Sequence, residues 1–329
     1  MSKMKNSIVV INWRGNVSSL KEAKTLLKEL LKEFELYSKR KNKESKKKPV
    51  KRELNFYLSV PSPFIYPLQE FLKEKNSQKL KKITIGAQNF EDLDKTTKNN
   101  STTLTQLQSI GAKFVILNND YEINKNEIKK IELVADSPKK KNEIDNIFIQ
   151  RLKGVNKKQT KEEEIPHDLE ERELEEERKA FLKAKEKEMQ KLEEKLRFSL
   201  EKKMKTVLVI KNNNDDLNLL ISFVKRMIKN IHYNLFDNLF ICYETGKNFL
   251  NMDRINLDDC QEKVIAIRRT IANIFGIDNA KKVKILYSGI INESNVQNIL
   301  EEGAVDGVLI NNEASSAKEM AKILVEITG

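Results

Sequence analysis

Apolar residues along this 329-residue chain cluster into short unbroken runs, each followed by a longer stretch with apolar positions three and four apart. Short apolar runs bounded by polar turns mark buried strands, and the longer period marks helices packed on one face. The strand pattern falls at 7–11 (SIVVI), 54–60 (LNFYLSV), 82–86 (KITIG), 113–117 (KFVIL), 206–210 (TVLVI), 239–243, 283–287 and 308–310. Ser18 or Ser19 is placed to cap a helix running to about residue 37, with apolar positions at Leu20, Ala23, Leu26, Leu27, Leu30 and Leu31. Helical spacing recurs at 64–75, 104–110 (closed by Gly111), 215–230, 257–275, 293–302 and 315–328. Eight strands alternating with helices predict a parallel sheet, and eight units fit an α/β fold of the (β/α)8 barrel type. A doubly wound open sheet would want a glycine-rich turn after the first strand, and Asn12-Trp13-Arg14-Gly15 is not one.

The rhythm breaks between the fourth and fifth strands. Residues 121–160 are polar and Lys-rich, and Pro166 opens a run to Lys203 with no internal Gly or Pro. Pro suits a first helical turn. The run predicts a charged helix on the order of 55 Å long at 1.5 Å per residue. A sparse apolar stripe follows Leu174, Phe181, Leu182, Met189, Leu192, Leu196 and Leu200. The expected organisation is a first barrel half at 1–120, a charged helical insertion at 121–203 and a second half at 204–329. The stripe reads as a partner-docking face or as a solvated helix.

Charge changes this picture only locally. The chain carries a net charge of +12, and its densest basic run is 39–52 (KRKNKESKKKPVKR). It predicts a surface loop able to touch an anionic partner. No aromatic residue interrupts it, so it lacks the stacking groups of a nucleic-acid site. Cys242 and Cys260 form no disulfide framework and fit a reducing, cytoplasmic setting. No stretch has the length and apolarity of a membrane span or a signal segment. His167 and His232 read as exposed polar residues.

Barrel chemistry sits at the C-terminal ends of strands. There the chain reads VVINWRGN, VPSPFIYP, Gly86-Ala87-Gln88-Asn89, SIGAKFVILNN, Tyr243-Glu244, and KVKILYSGIINESNVQNILEEGAVDGVLINN. In this order the motifs resemble the triosephosphate isomerase family: its G-N-W-K, P-P-F-x-Y-L, G-A-Q-N, C-K-Y-V-I-L-G-H, Y-E-P-V-W and I-L-Y-G-G-S. The resemblance covers residues 7–120 and 204–329. It implies a barrel enzyme that moves a proton through an enediolate, with Glu244 at the base position and Asn12 conserved in type. It also implies what is missing. Asn119 stands at the position of the catalytic His, and an amide cannot relay protons between two oxygens. Arg14 stands for a Lys. The phosphate loops, glycine-rich in the family, are Ser288-Gly289-Ile290 and Asn311-Asn312 here. The lid hinge is Thr245-Gly246-Lys247, and the loop that builds the family's homodimer falls on TTKNNS (96–101).

These departures point to a non-catalytic relative acting as a structural or adaptor subunit of a protein assembly. No cofactor or metal is expected, and the usual homodimer is in doubt. The alternative is a divergent sugar-phosphate isomerase with Glu244 as base and Asn119 and Arg14 as polarising groups.

Overall fold

The apolar runs of the sequence become eight strands, each hydrogen-bonded to the next, and the last returns to the first. They are β1 (Asn6–Asn12), β2 (Glu53–Val60), β3 (Ile83–Ala87), β4 (Phe114–Asn118), β5 (Lys205–Asn212), β6 (Leu239–Thr245), β7 (Lys284–Ser288) and β8 (Gly307–Ile310). All pairings are parallel, and β1 pairs with both β2 and β8, so the sheet is a closed barrel. The computed structural model describes residues 6–13, 17–44, 53–74, 83–91, 102–118, 167–212, 216–245, 257–311 and 316–328.

Successive strand residues point to opposite faces. One set of alternate residues fills the barrel: Ile8, Val10, Tyr57, Phe114, Ile116, Val207, Val209, Phe240, Cys242, Leu286 and Leu309 form one buried cluster. Tyr57 meets Phe114 and Phe240 edge-on, with ring centroids 5.3 and 5.6 Å away. Gly86 belongs to the same inward set, because it pairs with Ser59 two residues beyond Tyr57. A Cβ there would lie 2.3 Å from both the ring and the carbonyl oxygen of Phe114. The glycine of the G-A-Q-N motif therefore makes room for one of the barrel's interior rings.

The helices are α1 (Leu20–Glu44), α2 (Ile65–Glu74), α3 (Leu104–Ser109), α4 (His167–Glu201), α5 (Leu217–Ile228), α6 (Leu257–Phe275), α7 (Ile277–Ala280), α8 (Val296–Glu302) and α9 (Ala317–Thr328). Local chemistry explains several ends. Thr103 and Gln106 form a reciprocal capping box at α3. Gly111 follows that helix with φ 95°, as the sequence predicts for a terminating glycine. Asp216 caps α5 by accepting from the Asn218 and Leu219 amides.

Two expectations need correction. The basic run is not a loop from residue 39, because α1 continues to Glu44. Its last turns are held by Lys41, which meets Glu326 at 2.9 Å, and by Tyr37, which lies under Arg40 and Lys322. The remainder of the run, 45–52, lies outside the described residues. Nor does the charged helix stand apart from the barrel to its end. The chain divides into one unit of Met1–Asp120 with Leu192–Gly329 and another of Tyr121–Lys191. The last three turns of α4, from Leu192, thus belong with the barrel. Leu196, Ser199 and Leu200 are fully buried there. Thr206 of β5 donates to Ser199 Oγ at 2.8 Å, Glu193 pairs with Arg226 of α5, and Lys195 lies over the Phe90 ring. Lys203, with φ 56°, then turns the chain directly into β5.

Two short elements carried no sequence signal. A 3-10 helix at Tyr233–Asn238 is capped by His232, whose Nδ1 accepts from the Asn234 amide, and α7 follows Gly276. His232 is exposed, as its sequence context predicts. Among the described residues no helix is long and apolar enough to cross a membrane.

Candidate functional site at the barrel mouth

Two residues beyond each interior apolar position, the inward set reaches the C-terminal rim and changes character. Above Val10 comes Asn12, above Tyr57 Ser59, above Ile116 Asn118, and above Val209 Lys211. Above Cys242 comes Glu244, above Leu286 Ser288, and above Leu309 Asn311. An apolar barrel interior is therefore capped by a polar ring, the arrangement that lets barrels hold polar guests at this end.

Asn12, Ser288 and Asn311 meet directly. Asn12 Nδ2 donates to Asn311 Oδ1, and Asn311 Nδ2 donates to Ser288 Oγ, each at 3.3 Å. Asn12 and Ser288 are buried. The two bonds form a side-chain bridge across the ends of β1, β8 and β7. Gly289 follows at once. A Cβ there would lie 2.5 Å from Thr245 Oγ1 and from the Tyr287 hydroxyl, so this glycine is required by packing.

Glu244 sits at the end of β6, half-buried. In register it lies between Lys211 of β5 and Ser288 of β7. Neighbouring strands are about 4.8 Å apart, so a carboxylate, a cation and a hydroxyl share one arc of the rim. Beneath Glu244, burial pushes the Cys242 thiol well above its ordinary range, and the neighbouring carboxylate adds to the effect. Burial likewise pushes Cys260 to about 12, with Asp259 contributing, and Tyr287 to about 12, against a small opposing effect of its Thr245 hydrogen bond. None of these three is a nucleophile at neutral pH.

On the other side of the rim, Asn12 Oδ1, Trp13 Nε1, Ser59 Oγ and Gln88 Nε2 are buried without a hydrogen-bond partner among the described residues. Buried polar atoms in native proteins are nearly always partnered, so this arc, from β1 to the end of β3, suits a small polar guest.

Of the site residues expected from sequence, Asn12, Glu244, Ser288, Gly289 and Asn311 all lie at this rim. Arg14, Asn119 and Asn312 lie outside the described residues, as do the lid segment from Gly246 and the 96–101 loop. The apolar stripe of α4 divides. Met189, Leu196 and Leu200 are buried and Leu192 is half-buried. The docking role expected of Leu196 and Leu200 is thereby corrected: they are buried within the unit that holds the barrel. The side chains of Leu174, Phe181 and Leu182 lie outside the described residues. Sequence reading missed Ser59 and Lys211, which stand inside strands. Their signal was the two-residue alternation from Tyr57 and Val209.

Comparison with known proteins finds similarity to one family, in the second half of the chain. The family model described as triosephosphate isomerase matches residues 175–327, starting inside α4. A triosephosphate isomerase of Thermoanaerobacter sp. (strain X514) is 30% identical over 112 residues, which are 32% of this chain and 43% of that protein. Another, from Caldanaerobacter subterraneus subsp. tengcongensis, is 35% identical over 80 residues, 24% of this chain and 30% of that protein. A third, from Flavobacterium psychrophilum, is 26% identical over 114 residues, 35% of this chain and 46% of that protein. The chain thus spans less than half the length of these relatives.

Proposed function

The second half of the chain matches the triosephosphate isomerase family, and from that premise we propose that the protein is a non-catalytic member serving as a structural or adaptor subunit of a cytoplasmic protein assembly. The bridge from Asn12 through Asn311 to Ser288 carries the reading. The family grips phosphate with glycine-rich backbone, because only glycine lets a chain approach an anion so closely. Here amide and hydroxyl side chains fill that arc and use their hydrogen bonds on each other. Asn119 at the electrophile position supports the same conclusion, since an amide does not shuttle protons.

The adaptor role is assigned to the charged helical insertion. Within it, Leu174, Phe181 and Leu182 are the docking residues, together with the basic segment that ends α1. The family match begins at residue 175, so the part foreign to the family is narrower than 121–203. The purified chain is expected to leave dihydroxyacetone phosphate and glyceraldehyde 3-phosphate unconverted at millimolar concentration. Turnover at enzyme-like rates would overturn the reading. Replacing Leu174, Phe181 and Leu182 with Ser is expected to strip partners from a native pull-down without lowering the melting temperature.

A second reading rests on Glu244. Its place between Lys211 and Ser288 suits a general base, and the unpartnered polar atoms near Asn12 are groups that a polar substrate would engage. If the chain does isomerise triose phosphates, Glu244→Gln lowers the rate by about 10²–10⁴-fold.

A further inference from the structure

One face of α1 repeats a single chemistry along its length. Lys21, Lys28, Lys32 and Lys39 recur at seven, four and seven residues, which places them on one line of the helix, and all four are exposed. Glu22, Glu29 and Glu33 fall on a neighbouring line. Among the described residues, no ion pair involves Lys21, Lys28 or Lys32. Beside the upper part of this line runs a shallow groove lined by Leu20, Lys21, Lys24, Thr25, Lys28 and Phe71. Lys24 Nζ lies 5.9 Å from the Phe71 ring centroid, so the groove has an aromatic wall and carbon stems for a floor. Cations edging a carbon-lined groove suit an acidic helix, whose side chains would contribute both carboxylates and methylenes.

The same chain carries such a helix. Seven of the eleven residues 167–177 (HDLEERELEEE) are Asp or Glu. The helical conformation of α4 starts at His167, and Asp168, Glu171 and Glu175 recur at three and four residues, on one face. We propose that the lysine face of α1 in one copy binds the acidic start of α4 in a second copy, so that the chain assembles with itself. Donor and acceptor patches are different surfaces, so the contact is head-to-tail and leaves a free patch at each end. It is held by exposed charges, so salt weakens it. A duplex nucleic acid fits less well: the line is lysine rather than arginine, and the ring that walls the groove, Phe71, is half-buried.

Sedimentation velocity on the full chain tests this. At about 20 mM salt the mass is expected to rise with concentration from the 38.2 kDa monomer to twice that value and beyond, and to return to the monomer at about 500 mM salt. Lys21→Glu, Lys28→Glu and Lys32→Glu together are expected to abolish the rise, as are Asp168→Lys, Glu171→Lys and Glu175→Lys together. Each triple variant alone stays monomeric with an unchanged circular dichroism spectrum, and mixing the two restores association. A wild-type chain monomeric at every low-salt concentration overturns the proposal. So does association that survives the lysine reversal. So does a lysine face that takes up duplex RNA or anionic vesicles while the chain alone stays monomeric. The isomerase assay is a separate measurement, so failure here is distinguishable from failure of the non-catalytic reading.

Discussion

Gly86 shows how a motif can carry architecture where it suggests chemistry. In the sequence, G-A-Q-N marks a family resemblance. In the barrel its glycine is what allows Phe114 to fill the interior. Gly86→Ala must displace both a ring and a backbone carbonyl, and overpacking of this kind costs about 1–3 kcal/mol or more. Urea unfolding is expected to show a loss at or above the top of that range; an unchanged midpoint would mean that β3 and β4 move apart freely. The rim residues were legible to the extent that they end strands. Asn12, Glu244, Ser288 and Asn311 follow apolar runs, and the rule that chemistry sits after barrel strands finds them. Lys211 was not found because β5 extends past its apolar run, and Ser59 because it stands inside the end of β2 rather than after it. The bridge between Asn12, Asn311 and Ser288 joins residues almost 300 positions apart, and only barrel closure brings them together.

At the scale of single elements, α4 is the instructive case. Its apolar spacing was plain in sequence, but spacing does not say which neighbour covers an apolar face. The C-terminal turns face the barrel's own core. Leu196→Ala is accordingly expected to destabilise the chain by about 2–5 kcal/mol. Lys187→Ala, exposed on the same helix, is expected to stay within about 0.5 kcal/mol. Equal effects, read from paired denaturant melts, would restore the stripe as a free docking face. The extension of α1 past residue 37 escaped prediction for a related reason. Its last turns are dense in lysine and poor in apolar residues, and they are fixed by Lys41 with Glu326 and by the cations around Tyr37. Of these partners, Glu326 and Lys322 lie in α9, at the other end of the chain.

For the whole molecule, eightfold repetition made the fold readable: each strand–helix unit is a weak signal, and their regular recurrence is a strong one. Burial also gives the molecule a pH response. Cys260 and Cys242 keep their protons in the folded state far above the ordinary thiol range, while in the unfolded chain they titrate near 8.5. Above that pH the unfolded state binds fewer protons, so stability falls as pH rises, by about 1.4 kcal/mol per unit for each thiol, until the folded groups titrate, near 12 for Cys260. Melting temperature is expected to decline from pH 8.5 upward, with a shallower decline in Cys242→Ala. Native thiols should also ignore a disulfide reagent at pH 8 that labels both after denaturation. Rapid native labelling would contradict the burial.

The barrel's order around the ring is also its order of manufacture. Each strand hydrogen-bonds to the one made before it, with a single long pause: Asn118 ends β4, and Lys205 opens β5. At 5–20 residues per second, a ribosome takes about 4–17 s to cross that gap. For that time the nascent half-barrel presents β4 and β1 as open edges, and unpaired edges invite pairing with other chains. The strongly charged stretch that separates the halves is therefore what emerges next to those edges at the moment when they most need shielding.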